Sequence, residues 1–318
     1  MSVRVGLVGA GGVGARHART LMAMDDVELV GIADSVPGAG DALAGELGVP
    51  AVGALEDLLR ESPDAVWLCV PPFAHGELEL TVLRAGLPLF VEKPLAADLA
   101  TAETVAEAVA AAGVPTATGY HWRHLDTVER ARAVLAGSGP RLVTVTWQDK
   151  VPPPAWWRTT ALSGGQVVEQ ATHVLDLARV LAGEVAEVRA ATMPSSDPGR
   201  DVADATAAVL TFASGAVGTL AATCTLAAKG RAGIDVAADG VLVELSETSL
   251  RISGPDGVEE AAPAVDARQA VDRAFVDVLS GRPAPPGLVD YAEALRTHRL
   301  ACAVAEAART GGAVRVPA

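Results

Sequence analysis

Two groups of residues in this 318-residue chain have the types and spacing to do chemistry. The first is the stretch "GLVGAGGVGARHA", where Gly9, Gly11 and Gly14 have the G-x-G-x-x-G spacing. In such a loop the first glycine permits a tight turn. The second lets the backbone approach a pyrophosphate, and the third lets a helix pack closely on a strand. Helix N-terminal amides and the helix dipole then attract the anion. Gly12 and Val13 lie in the same loop and join the candidate cofactor-binding set. Asp34 ends "VGIAD", 20 residues after Gly14. A carboxylate there accepts from the adenosine ribose hydroxyls and repels a 2′-phosphate. No Lys or Arg occurs between Asp34 and Arg60 to reverse that, so NAD is favoured over NADP. Glycines also serve ordinary turns, and Asp34 could cap one; the complete order of strand, loop, helix, strand and acid favours the dinucleotide.

The second group is scattered along the chain. "VEKPLA" (91–96) ends an apolar strand with Glu92, Lys93 and Pro94, and Glu92 and Lys93 join the candidate cofactor-binding set. In an open parallel sheet, ligands bind beyond the carboxyl ends of the strands. The chain has three lysines against 22 arginines, so a lysine at such an end needs explaining. It suits a group that hydrogen-bonds or exchanges a proton with a substrate oxygen; the plain alternative is a surface lysine before a proline loop. Pro94 makes a cis Lys–Pro bond available. In "CVPPFAH" (69–75), Pro71 and Pro72 would wall the nicotinamide, and His75 is either a helix N-terminal contact or a cofactor residue. In "GGQVVEQATHVLDLARVL" (164–181), Glu169, His173 and Asp176 are four and three apart and share one helical stripe. Two acids and a histidine together read as an active-site helix, not a core seam. His173 would exchange a proton with a substrate hydroxyl, while Asp176 or Glu169 orients the imidazole or binds neighbouring hydroxyls. These three could hold a cation, but Lys93 would oppose it, so no metal is expected. Arg123 is a candidate cleft residue. Trp157, on the loop "DKVPPPAWWRTT", is either a lid or sugar-stacking residue or a loop anchor, and Gln170 is equally open.

These residues need elements to position them. Over the first 120 residues, apolar runs at 3–9, 27–34, 65–71, 87–92 and 116–120 alternate with amphipathic stretches at 12–24, 37–47, 54–61, 76–85 and 99–112. That alternation implies βαβ units and a parallel sheet covered on both faces. Beyond residue 122 the pattern changes: a helix at 124–136, a strand at 141–147, the helix at 164–181, then strand runs at 185–194, 202–212, 215–226, 231–238 and 241–252. Gly-containing turns join these runs, so a mostly antiparallel sheet with helices on one face is expected, closed by a helix at 288–309. The division is 1–122 for dinucleotide binding and 123–318 for the substrate and oligomerisation. A net charge of −14 without a basic patch excludes nucleic acid. No apolar run is long enough to span a membrane, and a strand beginning at Val3 leaves no signal peptide. Cys69, Cys224 and Cys302 are odd in number and far apart, which fits a reducing cytoplasm.

Taken together, the glycine loop, Asp34, "VPPFAH", Glu92-Lys93-Pro94 and "GGQVVEQATHVLDLA" resemble the glucose–fructose oxidoreductase / inositol 2-dehydrogenase (Gfo/Idh/MocA) family over nearly the whole length. The resemblance implies an N-terminal Rossmann domain and a C-terminal α/β domain with a large open, mostly antiparallel sheet. It implies NAD-dependent hydride transfer at a secondary carbinol of a sugar, cyclic polyol or related small molecule, and homodimers or homotetramers formed through the sheet. It assigns Lys93 and His173 to the catalytic pair and Arg123 to the cleft. Glu169 stands where many members have Asp, and Ala171 where many have Gly. Two other functions sit on the same fold: a redox-silent dinucleotide sensor, against which the presence of Lys93 and His173 argues, and a glycosidase that oxidises its sugar transiently, for which Glu169 would be the extra base.

Overall fold

The computed structural model describes residues 2–317. They form two compact units: residues 2–96, 100–121 and 267–294, and residues 97–99, 122–266 and 295–317.

In the first unit, strands β1 (Val3–Val8), β2 (Val27–Ala33), β3 (Ala51–Val52), β4 (Ala65–Leu68), β5 (Leu89–Val91) and β6 (Thr116–Thr118) alternate with helices α1 (Gly12–Met22), α2 (Ala39–Leu47), α3 (Leu55–Arg60), α4 (Glu77–Arg84) and α5 (Leu99–Ala112). The sheet order is β3-β2-β1-β4-β5-β6 and every pairing is parallel. Val5, Leu7, Ile32, Val66, Trp67, Phe90 and Val91 are all buried, as strands covered on both faces require. Helix α1 buries Ala18 and Leu21 and carries Arg19 in its last turn, where a cation complements the dipole. Register decides what reaches the ligand edge. Val8 pairs with Ala33 and with Leu68, and Leu68 pairs with Val91. The next residues, Gly9, Asp34, Cys69 and Glu92, therefore leave the sheet at one level, and strand order reverses direction at β1 there.

The second unit contains α6 (Asp126–Leu135), β7 (Pro140–Gln148), α7 (Thr160–Ser163), α8 (Gly165–Glu169), α9 (Thr172–Ala182), β8 (Val185–Met193), β9 (Ala205–Phe212), β10 (Val217–Thr223), β11 (Ala232–Ala238), β12 (Val241–Ser246), β13 (Leu250–Gly254) and β14 (Gly257–Ala261). The remaining elements are α10 (Ala267–Leu279), α11 (Tyr291–Thr310) and β15 (Ala313–Arg315). The nine strands run in the order β14-β13-β12-β11-β7-β10-β9-β8-β15. Only β7 and β10 pair in parallel; the other seven pairings are antiparallel. Val143, Val145, Leu210, Leu220, Ile234 and Val236 are buried on the face that α9 covers, while Leu142, Val209 and Val217 are half exposed on the other.

Three sequence expectations differ from the structure. The run 241–252 is a hairpin of two strands, because the polar "SETS" turns the chain: Ser246 N donates to Ser249 O at 2.8 Å. The stretch 164–181 is not one helix. Gly164 and Gly165 have positive φ, and a wide turn separates α8 from α9: the amides of Gln170 and Ala171 both donate to Gln166 O. The compact units also cut the chain differently from a single boundary at 122/123. Residues 267–294, with the unexpected helix α10, pack in the first unit, where Phe275 lies against Trp67 with ring centroids 5.2 Å apart.

Candidate active site

Two of the three loop glycines are demanded by the fold, and the third is not. Gly9 has φ +98°, and a Cβ on it would stand 2.3 Å from the Cys69 carbonyl oxygen. On Gly14 a Cβ would stand 1.8 Å from the Gly9 carbonyl oxygen. Gly11 has φ −64° and ψ 178°, open to any residue, and neither it nor Gly12 has a neighbour within 4 Å of a built Cβ. Backbone sterics do not require glycine at Gly11; a ligand brought against the backbone would. Val13 is 42% exposed at the same helix start. Asp34 accepts the Ala10 amide at 2.6 Å on Oδ2 and the Val36 amide at 2.7 Å on Oδ1. Both oxygens are thereby aimed, and each retains a lone pair for a ribose hydroxyl. The open backbone at Gly11 beside an aimed carboxylate fits an adenine dinucleotide: Gly11, Gly12 and Val13 would hold its pyrophosphate and Asp34 its ribose.

Lys93 is half-buried just beyond β5, and its bond to Pro94 is cis. Glu92 takes a different place from the cofactor contact expected of it. Its side chain is buried, with Oε1 at 2.9 Å from His17 Nε2 and Oε2 accepting the Lys93 amide at 3.0 Å. The other His17 nitrogen, Nδ1, is 2.7 Å from Asp272 Oδ1, which also accepts the Trp67 indole N–H at 2.9 Å. Burial alone would lower the His17 pKa, but the charge of Asp272 and the hydrogen bonds His17 donates to both carboxylates push it up to about 9. Burial would raise Glu92, yet its bond to the His17 imidazolium and that cation's charge hold it down near about 2. His17 is therefore a cation donating to a carboxylate on each side.

His75 and Glu79 form a second buried pair. Glu79 accepts from His75 Nδ1 and, at 2.6 Å, from the Gly76 amide that opens α4. His75 Nε2 is buried without a hydrogen-bond partner among the described residues, so it is the one ring nitrogen left to meet a ligand. Pro71 is half-buried and starts the short turn of Pro72–Ala74.

In the second unit His173 lies in an aromatic stack. Its ring is 5.8 Å from that of Trp122, tilted 10°, and 6.2 Å from that of Trp147, tilted 24°. Asp176, three residues on, does not serve the imidazole. It is 1% exposed and grips Arg123 with both oxygens, at 2.6 and 2.7 Å, while Thr297 Oγ1 donates to it at 2.7 Å. Asp176 thus fixes Arg123. The helix expected to carry Glu169, His173 and Asp176 is interrupted by the turn between α8 and α9. Glu169 accepts the Trp157 indole N–H at 2.7 Å. Trp157 is fully buried with Val202 and Cys224, so it anchors the proline-rich loop and does not stack on a sugar. Gln170 is buried too, its amide 3.5 Å from the Lys150 carbonyl. No cluster of three or more metal-ligating side chains occurs among the described residues.

Sequence reasoning missed His17, Asp272, Glu79 and Trp147, one of the two tryptophans flanking His173. A signal existed for some. Glu79 is four residues after His75, and Val271, Phe275 and Val278 have the helical spacing that would have revealed α10.

Comparison with known proteins agrees with this geometry. The family model described as "Oxidoreductase family, NAD-binding Rossmann fold" matches residues 3–120, and that of the GFO/IDH/MocA C-terminal domain matches residues 138–257. An inositol 2-dehydrogenase of Rhizobium meliloti is 32% identical over 58% of this chain and 56% of its own length, so the chain spans just over half of that relative. A myo-inositol dehydrogenase of Streptomyces leeuwenhoekii is 30% identical over 98% of this chain and 99% of its own. The WlbA dehydrogenase of Bordetella pertussis, solved with NADH and UDP-GlcNAcA, superposes with a TM-score of 0.85 over all of both chains at 24% identity, a likeness of fold. With its parallel-sheet cradle for a dinucleotide, its open nine-stranded sheet and these matches along its length, the chain belongs to the Gfo/Idh/MocA family of NAD-binding oxidoreductases.

Proposed function

We propose that the protein oxidises or reduces a secondary carbinol of a sugar, cyclic polyol or related small molecule. The observation that carries this is the common edge of the parallel sheet: the glycine cradle, Asp34 and the Glu92–Lys93 segment leave their strands at one level. NAD, once bound, accepts or returns the hydride at its nicotinamide. In the oxidative direction the carbinol carbon loses a hydride and the hydroxyl loses a proton. Lys93 donates a hydrogen bond to that oxygen and stabilises the charge that builds on it. His173 takes the proton, its ring held by Trp122 and Trp147. Arg123, locked by Asp176, presents a fixed cation to the substrate's other oxygens. Asp34 gives NAD preference over NADP, and the inositol dehydrogenase relatives support a cyclic polyol.

The test is NADH formation by the purified protein over a panel of cyclic polyols and sugars, with parallel NADP reactions and a Lys93→Ala control. Turnover with NAD that vanishes in the control is expected. Firm NAD binding without turnover on any cyclic polyol or sugar, or turnover retained by Lys93→Ala, would overturn the reading.

We further infer that copies of the chain associate through the open face of the nine-stranded sheet. Support comes from its row of small residues Ala191–Ala207–Ala221, paired in register, and from Leu142, Val209 and Val217 at 49%, 52% and 49% exposure. A Val209→Glu variant that stays dimeric or tetrameric in light scattering would refute this. A cytoplasmic setting is supported by the three free thiols; no helix among the described residues is long and apolar enough to cross a membrane.

A further inference from the structure

A buried imidazolium with a carboxylate on each nitrogen is a costly way to fill a core. His17 is 1% exposed and Asp272 is 0% exposed, and apolar residues of similar volume often hold such a place equally well. What the triad grips is therefore informative. Asp272, on α10, is fixed by the Trp67 indole of β4 as well as by His17. His17, on α1, passes the linkage to Glu92 at the end of β5. Glu92 spends one oxygen on His17 and the other on the Lys93 amide. Gly119 leaves the room this needs, since a Cβ there would stand 2.4 Å from Glu92 Oε1. The remaining groups facing the triad are the Arg16 guanidinium, 3.8 Å from Glu92 Oε1, the Lys93 ammonium, and the Cys69 thiol, which burial pushes up and keeps neutral.

We propose that His17 is a positioning residue for the reaction: clamped by Asp272, it fixes the Glu92 carboxylate, and Glu92 fixes the backbone from which Lys93 projects. The inference rests on the reading of Lys93 as the residue at the carbinol oxygen. Without the His17 donor, Glu92 Oε1 is left unpaired in the core, and the carboxylate turns toward Arg16 and solvent, releasing the Lys93 amide.

Hydrogen exchange tests this without a known substrate. A peptide running from Phe90 to Ala96 has no amide at Pro94, so it reports on Glu92, Lys93, Leu95 and Ala96. The full-length chain with NAD added is compared with His17→Gln, with Asp272→Asn, and with Val271→Ala, a buried neighbour that weakens the same unit without touching the triad. In both triad variants this peptide is expected to exchange about tenfold faster or more, while β1 stays protected. Val271→Ala should leave it unchanged. On a polyol that the wild type turns over, His17→Gln should lower kcat while the KM for NAD stays within about twofold. Should His17→Gln fail to fold, Asp272→Asn carries the test, since Asn keeps the shape and an acceptor for Trp67. Exchange at Lys93 equal to that of Val271→Ala, or rising in step with every peptide of the unit, would overturn the proposal. Turnover surviving in Lys93→Ala would instead strike the catalytic reading and leave the exchange result standing.

Discussion

Substituting alanine at Gly11 and at Gly14 should produce opposite phenotypes, although the two glycines belong to one motif. On Gly14 the new methyl would meet the Gly9 carbonyl oxygen at 1.8 Å, against an ordinary contact of roughly 3.5 Å. That oxygen is main chain and cannot rotate away, so α1 must slide off the sheet. Overpacking of this kind costs about 1–3 kcal/mol, which in a chain of this size lowers the melting temperature by several degrees. On Gly11 the methyl would meet nothing, and φ of −64° suits any residue, so stability should hold or rise by about 0.4–1 kcal/mol. The methyl would, however, fill the space through which a pyrophosphate reaches the backbone. NAD affinity should fall at least tenfold, about 1.4 kcal/mol. Thermal melts and calorimetric NAD titrations of both variants decide the matter. Wild-type NAD affinity in Gly11→Ala would refute the cradle, and a wild-type melting temperature in Gly14→Ala would refute the packing argument.

Other outcomes follow from single contacts. Asp34→Ala removes the acceptor of two backbone amides and the charge that repels a 2′-phosphate, so it should cost about 1 kcal/mol of stability and narrow NAD-over-NADP selectivity at least tenfold; unchanged selectivity in paired titrations would count against Asp34. Asp176→Ala takes both carboxylate oxygens from Arg123, whose side chain is 13% exposed, so a loss of about 3–5 kcal/mol is expected in urea unfolding, and a loss below about 1 kcal/mol would show the pair is not buried in effect. The His17 pKa is raised from 6.5 to about 9, so its stabilisation is whole below pH 6.5 and is lost as pH rises through 9. The difference is worth about 3 kcal/mol. Denaturation of the wild type between those pH values should show it and Asp272→Asn should lose most of it; equal pH slopes would refute the imidazolium.

The first unit was the more legible because its signals are local. An apolar strand, a glycine turn and an amphipathic helix occupy about 20 consecutive residues, and backbone sterics at Gly9 and Gly14 tie those letters to that geometry. Lys93 stood out for a similar reason, as a rare ammonium at the end of a buried strand. The segment 164–181 misled because apolar spacing cannot register one extra residue in a turn: the wide turn at Gln170–Ala171 interrupts the helix between Glu169 and His173 while leaving the hydrophobic pattern almost intact. Trp157 stayed open between anchor and lid, since an indole on a proline-rich loop serves either until its burial is known.

The sequence alone determined the parallel Rossmann unit, the dinucleotide loop, the acid that follows it and the mostly antiparallel second sheet, because these arise from short-range periodicity and turn chemistry. Only the tertiary structure decided what the polar side chains do. Asp272 is 255 residues from His17, and Thr297 is 121 residues from Asp176. Whether a carboxylate keeps lone pairs open beside two backbone amides, as at Asp34, or is neutralised inside the protein, as at Glu92 and Asp176, depends on which donors folding brings to it. A charge removed from water must find its partner wherever the chain supplies one, and nothing in its sequence neighbours says where that is.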